Sequence, residues 1–199
     1  MDTNKYLKEK FKVAEDALPP YAGSPDGTTR KDIYTAFVEL GFKIGAEIGV
    51  FRGRNALRIF EQVPGAKLIG VDPWVFYTGI NKGMPPLSRN FERDFQVAQE
   101  RLKKYDMVWM RKSSIEGSKL VDDNSLDFVY IDAAHDFNNV IMDLIHWSPK
   151  VRSGGIISGH DYSPVNGVIK AVNAYTYAHG IKDVHITREP LASFFWAKP

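Results

Sequence analysis

Four side chains able to hold a cation or move a proton stand in two short runs. Ile131-Asp132-Ala133-Ala134-His135-Asp136 closes one apolar stretch, and Gly159-His160-Asp161-Tyr162 closes the next. Two carboxylates with two imidazoles can ligate a divalent ion through mixed oxygen and nitrogen donors, or carry out general acid–base chemistry. A second set lies upstream. Ala46-Glu47-Ile48-Gly49-Val50-Phe51-Arg52-Gly53 reads as a strand, a glycine turn and a helix start, and Val71-Asp72 ends the following strand. Backbone N–H groups at the turn and an open helix N-terminus suit a nucleoside, with an acid nineteen residues after Gly53 placed to accept ribose hydroxyls.

These residues need a scaffold that brings strand ends together, and the rest of the chain predicts one. Strands are expected over 44–50, 68–71, 107–110, 126–131, 155–158, 184–186 and 193–196. Helices are expected over 55–62, 91–104, 114–120, 137–147 and 168–178, after N-terminal helices over 4–17 and 30–40. The 30–40 segment shows the signal well, with Ile33, Phe37 and Leu40 at helical spacing and Gly41 as the stop. Strands alternating with helices require an α/β fold, a Rossmann-like doubly wound sheet. The sheet is mostly parallel and seven-stranded, with a C-terminal antiparallel hairpin and added N-terminal helices. Ligands of such sheets sit at the carboxyl ends of the strands. Glu47 to Gly53, Asp72, Ser113-Ser114, Asp132 to His135 and His160-Asp161 all fall on that edge.

The organisation expected is one domain over 1–199, with a helical extension over 1–43 and a substrate or lid loop over 73–90. That loop carries Trp74, Phe76, Tyr77, Lys82 and Arg89 and exceeds the usual strand-to-helix connection. A net charge of +2, with lysines and arginines dispersed, gives no basic patch and argues against a nucleic-acid partner. The absence of cysteine excludes disulfides and thiolate chemistry. No leader-like or membrane-spanning apolar run is present, so the expected location is cytoplasmic, with no membrane partner. His146 and His185 read as structural residues, and His179 as a helix C-terminal residue favourable to the dipole.

Glu47-x-Gly49-x-x-x-Gly53 with Asp72 resembles the cofactor motif of class I S-adenosylmethionine-dependent methyltransferases, over approximately residues 44–162. Asp132 and Asp161 resemble the metal-binding aspartates of catechol O-methyltransferase-like and macrolide-sugar O-methyltransferase-like enzymes. The resemblance implies S-adenosyl-L-methionine as cofactor and O-methylation of a small molecule, a sugar or phenolic hydroxyl. It implies that Gly49, Phe51, Gly53 and the adjoining backbone hold the methionine moiety, that Glu47 supports its end, and that Asp72 takes the ribose. Trp74 would flank the adenine or pack in the core. Ser113 and Ser114 would approach the adenine edge, or Ser114 would cap the next helix. Related enzymes often form homodimers.

At the catalytic face two readings stand open. Mg2+ or Mn2+ is held by Asp132, His160 and Asp161, or His135 or His160 is the general base without metal. Asp132 as a helix cap is the bland alternative. Two departures weigh on the resemblance: Tyr162 stands where the catechol-type enzymes have asparagine, and Ala133-Ala134 replaces the middle of the Asp-Gly-Asp-His run of a broader methyltransferase family that the two Asp–His pairs also resemble. A non-catalytic S-adenosylmethionine-binding module is the competing function. An NAD-dependent enzyme is a weaker one, kept open by Arg52 as a phosphate attractor.

Overall fold

The computed structural model describes residues 2–22, 28–75, 90–162 and 167–199. The strands are β1 (Tyr21–Ala22), β2 (Ile44–Ile48), β3 (Lys67–Val71), β4 (Asp106–Met110), β5 (Leu126–Ile131), β6 (Val151–Gly159), β7 (His185–Ile186) and β8 (Phe194–Ala197). The helices are α1 (Thr3–Lys10), α2 (Arg30–Glu39), α3 (Arg54–Gln62), α4 (Phe91–Leu102), α5 (Ser114–Ser118), α6 (Phe137–Trp147) and α7 (Val168–Ala178).

The strands form a single eight-stranded sheet in the order β1-β7-β8-β6-β5-β2-β3-β4. β2, β3, β4, β5 and β6 run parallel, while β8 is antiparallel to both β6 and β7. The seven strands expected from the sequence are therefore present, and the terminal pair does form a hairpin. Its second strand lies inside the sheet between β7 and β6. The eighth strand, β1, adds in parallel to β7 through Tyr21↔His185 and Ala22↔Ile186. Two residues beside Pro19-Pro20 leave no alternation to read, so the sequence suggests only a loop there.

Side-chain alternation divides the core between the two faces. Phe128 and Tyr130 of β5 join Leu7, Ile33, Phe37, Ala56 and Leu102 from α1 to α4. Val129 and Ile131 point the other way, onto Val140, Leu144, Trp147, Ala171 and Val172 of α6 and α7. The first helix stops at Lys10, short of the expected residue 17. Lys12 takes a left-handed φ of +49°, with its N–H on the Glu9 carbonyl and that of Val13 on the Lys8 carbonyl. These are the two bonds of a Schellman stop, here built on lysine in place of glycine. With β5, β2, β3 and β4 adjacent and parallel, Asp132, Gly49, Asp72 and Ser113 line up along one edge.

Candidate active site

The nucleoside end of the site begins at the β2–α3 turn. Gly49 has a φ of +92°, and a Cβ there would sit 2.2 Å from the Asp132 carbonyl oxygen. A side chain is thus excluded by the neighbouring strand end, whatever ligand lies outside. Gly53 is the left-handed N-cap of α3, where a Cβ would meet Leu102 at 2.9 Å. Both glycines are required by chain packing. Between them Phe51 also has a positive φ, +49°.

Asp72 is clamped by backbone. Its Oδ2 accepts the Phe51 N–H at 2.9 Å and its Oδ1 accepts the Trp74 N–H at 2.8 Å. Burial raises its pKa, and the N–H groups of Phe51, Trp74 and Val50 oppose that rise. Trp74, with a φ of +45°, turns into the protein. It is 2% exposed, donates its indole N–H to the Phe51 carbonyl and packs on Phe95 and Trp109. It does not line the cleft beside Asp72, so its packing is that of a core residue. Arg52 pairs with the buried Asp94 of α4 at 2.6 Å, which directs its guanidinium away from any phosphate in the cleft. Most of the 73–90 loop, from residue 76 to 89, lies outside the described residues.

Glu47 is 1% exposed and lies beneath the cleft. Among the described residues its Oε2 has no hydrogen-bond donor. Burial pushes its pKa up to about 8, with the charges of Asp132 and Asp72 adding to the rise and Asn55 and the Ala56 N–H opposing it. The cleft itself encloses about 260 Å3, running from Gly49, Asp132 and Ala133 past Asp72 to Ser113, Ser114, Met142 and Asp143.

Ser113 is the cap of α5: its hydroxyl pairs with Glu116 Oε2 at 2.6 Å in a capping box. Ser114, offered above as the cap, instead accepts the Trp147 indole N–H at 2.9 Å. Asp132 is not the cap of α6 either. Asp136 fills that position, accepting the Asn139 N–H at 3.1 Å, and Asp132 is left to the site.

At the catalytic face the structure gathers Asp132, His135 and Asp161, each offering one ligand atom within 4.8 Å of the others. His135 Nε2 lies 2.9 Å from Asp161 Oδ2 and 3.9 Å from Asp132 Oδ1. Asp132, the larger influence, and Asp161 together lift the His135 pKa to about 9. The Asp161 contact is the one short enough to be a hydrogen bond. Burial disfavours an ionised Asp161, but hydrogen bonds from His135 and His160 outweigh it and hold the carboxyl well below its usual range. Asp161 also sits at a left-handed φ of +56°.

His160, expected beside Asp132 and Asp161, lies outside the three groups that converge. Its Nε2 meets the guanidinium of Arg30, from the first turn of α2. A guanidinium can only donate, so Nε2 is the acceptor and the ring proton sits on Nδ1. That nitrogen faces Asp161 Oδ1 at 3.3 Å and Asp132 Oδ1 at 3.8 Å. The one ring lone pair of His160, on Nε2, is then taken by Arg30, and the imidazole that converges with Asp132 and Asp161 is that of His135. Arg30 is in turn held near Glu189, 3.6 Å away. No local signal links residue 30 to residue 160; only the packing of α2 over the sheet does so.

Comparison with known proteins places this geometry. Among solved structures, the O-methyltransferase of Streptomyces achromogenes involved in tomaymycin synthesis, in complex with SAM, is 13% identical with a TM-score of 0.60, covering 100% of this chain and 91% of that one. The O-methyltransferase from Bacillus cereus in complex with SAH is 13% identical with a TM-score of 0.58 over the same shares. At these identities the likeness is one of fold. No curated protein sequence matches the chain significantly. A sequence profile described as a methyltransferase domain matches residues 46–162, from β2 through Asp72 and Asp132 to Tyr162. With more than half of its length in that match, the chain belongs to this methyltransferase family, of the class I, S-adenosylmethionine-dependent type.

Proposed function

We propose that the chain methylates an oxygen of a small-molecule acceptor, with S-adenosylmethionine as donor and a divalent cation held by Asp132, His135 and Asp161. The convergence of two carboxylates and an imidazole at the methyl end of the cleft carries this reading. The two structurally similar O-methyltransferases above, one in complex with SAM and one with SAH, support oxygen as the acceptor atom and S-adenosylmethionine as the donor. Bound there, the ion would fix the acceptor oxygen and lower its pKa. The mixed oxygen and nitrogen donors suit Mn2+ at least as well as Mg2+.

The protein's own residues supply the rest. Asp72, oriented by two N–H groups, is free on its outer lone pairs to take ribose hydroxyls. Arg30 and His160 hold the Asp161 carboxylate from behind. Without the ion, His135 carries its proton at neutral pH, its pKa near 9 between two carboxylates, and binding the cation would displace that proton.

The two ends of the site separate experimentally. Asp72→Ala should abolish S-adenosylhomocysteine binding measured by calorimetry. Asp132→Asn should retain that binding while losing Mn2+ binding, followed by electron paramagnetic resonance, and turnover. An Asp132→Asn protein that binds Mn2+ as the wild type does would overturn the assignment.

A further inference from the structure

A glutamate distant in sequence stands behind the catalytic face. Glu189 lies in the turn between β7 and β8, with its Oε1 3.6 Å from Arg30 Nε. The same oxygen accepts the Arg30 backbone N–H at 3.1 Å and the hydroxyls of Thr187 and Ser193 at 3.2 and 3.1 Å. Ser193 gives its one O–H to Glu189, so it accepts from the Tyr130 hydroxyl 3.0 Å away. Tyr130 belongs to β5, two residues before Asp132. Glu189 thus ties together the start of α2, the terminal hairpin and the strand that presents Asp132.

A staple for the turn would explain the hydroxyl contacts but not the arginine. Backbone bonds already close the turn: Thr187 N–H reaches the Ser193 carbonyl at 2.9 Å, Arg188 N–H the Thr28 carbonyl at 2.7 Å, and Tyr162 N–H the Ala192 carbonyl at 2.9 Å. The side chains of Arg30 and Glu189 are each only 18% exposed, so drawing both charges inward costs solvation that the turn does not require.

The course of the guanidinium is more telling. It ends on Nε2 of His160, while the Nδ1 edge of that ring faces the carboxylates of Asp132 and Asp161. An arginine left to itself would gain more from a carboxylate than from a neutral ring nitrogen. Glu189 supplies a carboxylate from the hairpin side, and Asp132 and Asp161 stay available to a cation.

We infer that Glu189 and Arg30 are positioning residues for the cation site. Glu189 holds the guanidinium on His160 Nε2, and His160 turns its Nδ1–H toward Asp161 Oδ1. Asp161 Oδ2 is then the oxygen left facing His135, 2.9 Å away, where the triad converges. This role rests on the cation reading above and adds the terminal hairpin to the machinery.

The two residues carry opposite charges, which separates positioning from a simple field effect. By charge alone, Arg30→Met would tighten Mn2+ and Glu189→Ala would loosen it. Positioning requires both to loosen it, by roughly tenfold, in titrations followed by electron paramagnetic resonance. Arg30→Lys keeps the charge but lacks the fork that serves Glu189 and His160 together. It should loosen Mn2+ as well, and it stands in should the methionine variant not fold. A second readout needs no metal. In histidine 1H–15N correlation spectra of the ion-free protein, His160 is identified by the loss of its signals in His160→Gln. Its Nε2 should carry no hydrogen in the wild type and gain one in Arg30→Met. A hydrogen on Nε2 in the wild type, shifts of opposite sign in Arg30→Met and Glu189→Ala, or unchanged Mn2+ affinity in both would overturn the role while leaving the cation site intact. A wild type that binds no Mn2+ would overturn both.

Discussion

Replacing Glu47 by glutamine should make the ligand-free protein more stable, and by an amount that grows with pH. Glu47 is 1% exposed, and its pKa is about 8 in the fold against an ordinary 4.5. Between those two values the folded chain keeps a proton that the unfolded chain releases. Stability is therefore complete below pH 4.5 and is withdrawn as the pH rises toward 8, at about 1.4 kcal/mol per pH unit. At pH 7 that amounts to a cost of about 3 kcal/mol. Glutamine copies the shape of the protonated acid and does not titrate, so the Glu47→Gln variant escapes the loss. The assay is urea denaturation of both proteins at pH 5, 7 and 8. The expected pattern is near equality at pH 5 and an advantage for the variant of roughly 2–3 kcal/mol at pH 7. Parallel loss in both proteins across this range would refute the reasoning. It would mean that Glu47 is ionised in the fold and that Asn55 and the Ala56 N–H outweigh its burial.

Two further outcomes follow from local geometry. Gly49→Ala should destabilise by roughly 3 kcal/mol or more, since the new Cβ meets backbone and the φ is left-handed; a thermal melt within a degree of wild type would contradict the contact with Asp132. His185, 1% exposed and with neither ring nitrogen bonded among the described residues, has its pKa pressed down to about 4 by burial. The unfolded chain then binds a proton that the folded one refuses, so stability is complete above about pH 6.5 and falls as the pH drops toward 4. His185→Phe should remove up to about 3 kcal/mol of that acid loss, read by calorimetry at pH 7 and 4.5. An unchanged acid limb would disprove it.

How far the sequence discloses this site depends on how local each signal is. Glu47, Gly49, Asp72 and Asp132 are legible because an apolar strand that stops at a charged or glycine residue marks a strand tip, and parallel strands share one carboxyl edge. The contact of His160 with Arg30 is not legible, since Arg30 reaches the site only after α2 has packed on the sheet. Trp74 misleads for a related reason. Its neighbourhood in sequence is the cleft, but its indole N–H finds the Phe51 carbonyl and its ring finds Phe95, both away from the opening. Asp143 gives no signal at all, being one acid in an amphipathic helix until α5 comes to lie against it. The position of β8 between β6 and β7 likewise depends on pairing over distance, while the hairpin itself is local.

Phe51, Trp74 and Asp161 share a backbone geometry that L-residues avoid, with φ values of +49°, +45° and +56°. The first two give their N–H groups to the same carboxylate, that of Asp72. Such angles cost of the order of 1–3 kcal/mol each. At Trp74 the buried indole outweighs that cost, since glycine would keep the N–H but leave a cavity against Phe95 and Trp109. The angle that aims this N–H at Asp72 is therefore held by the core packed behind it.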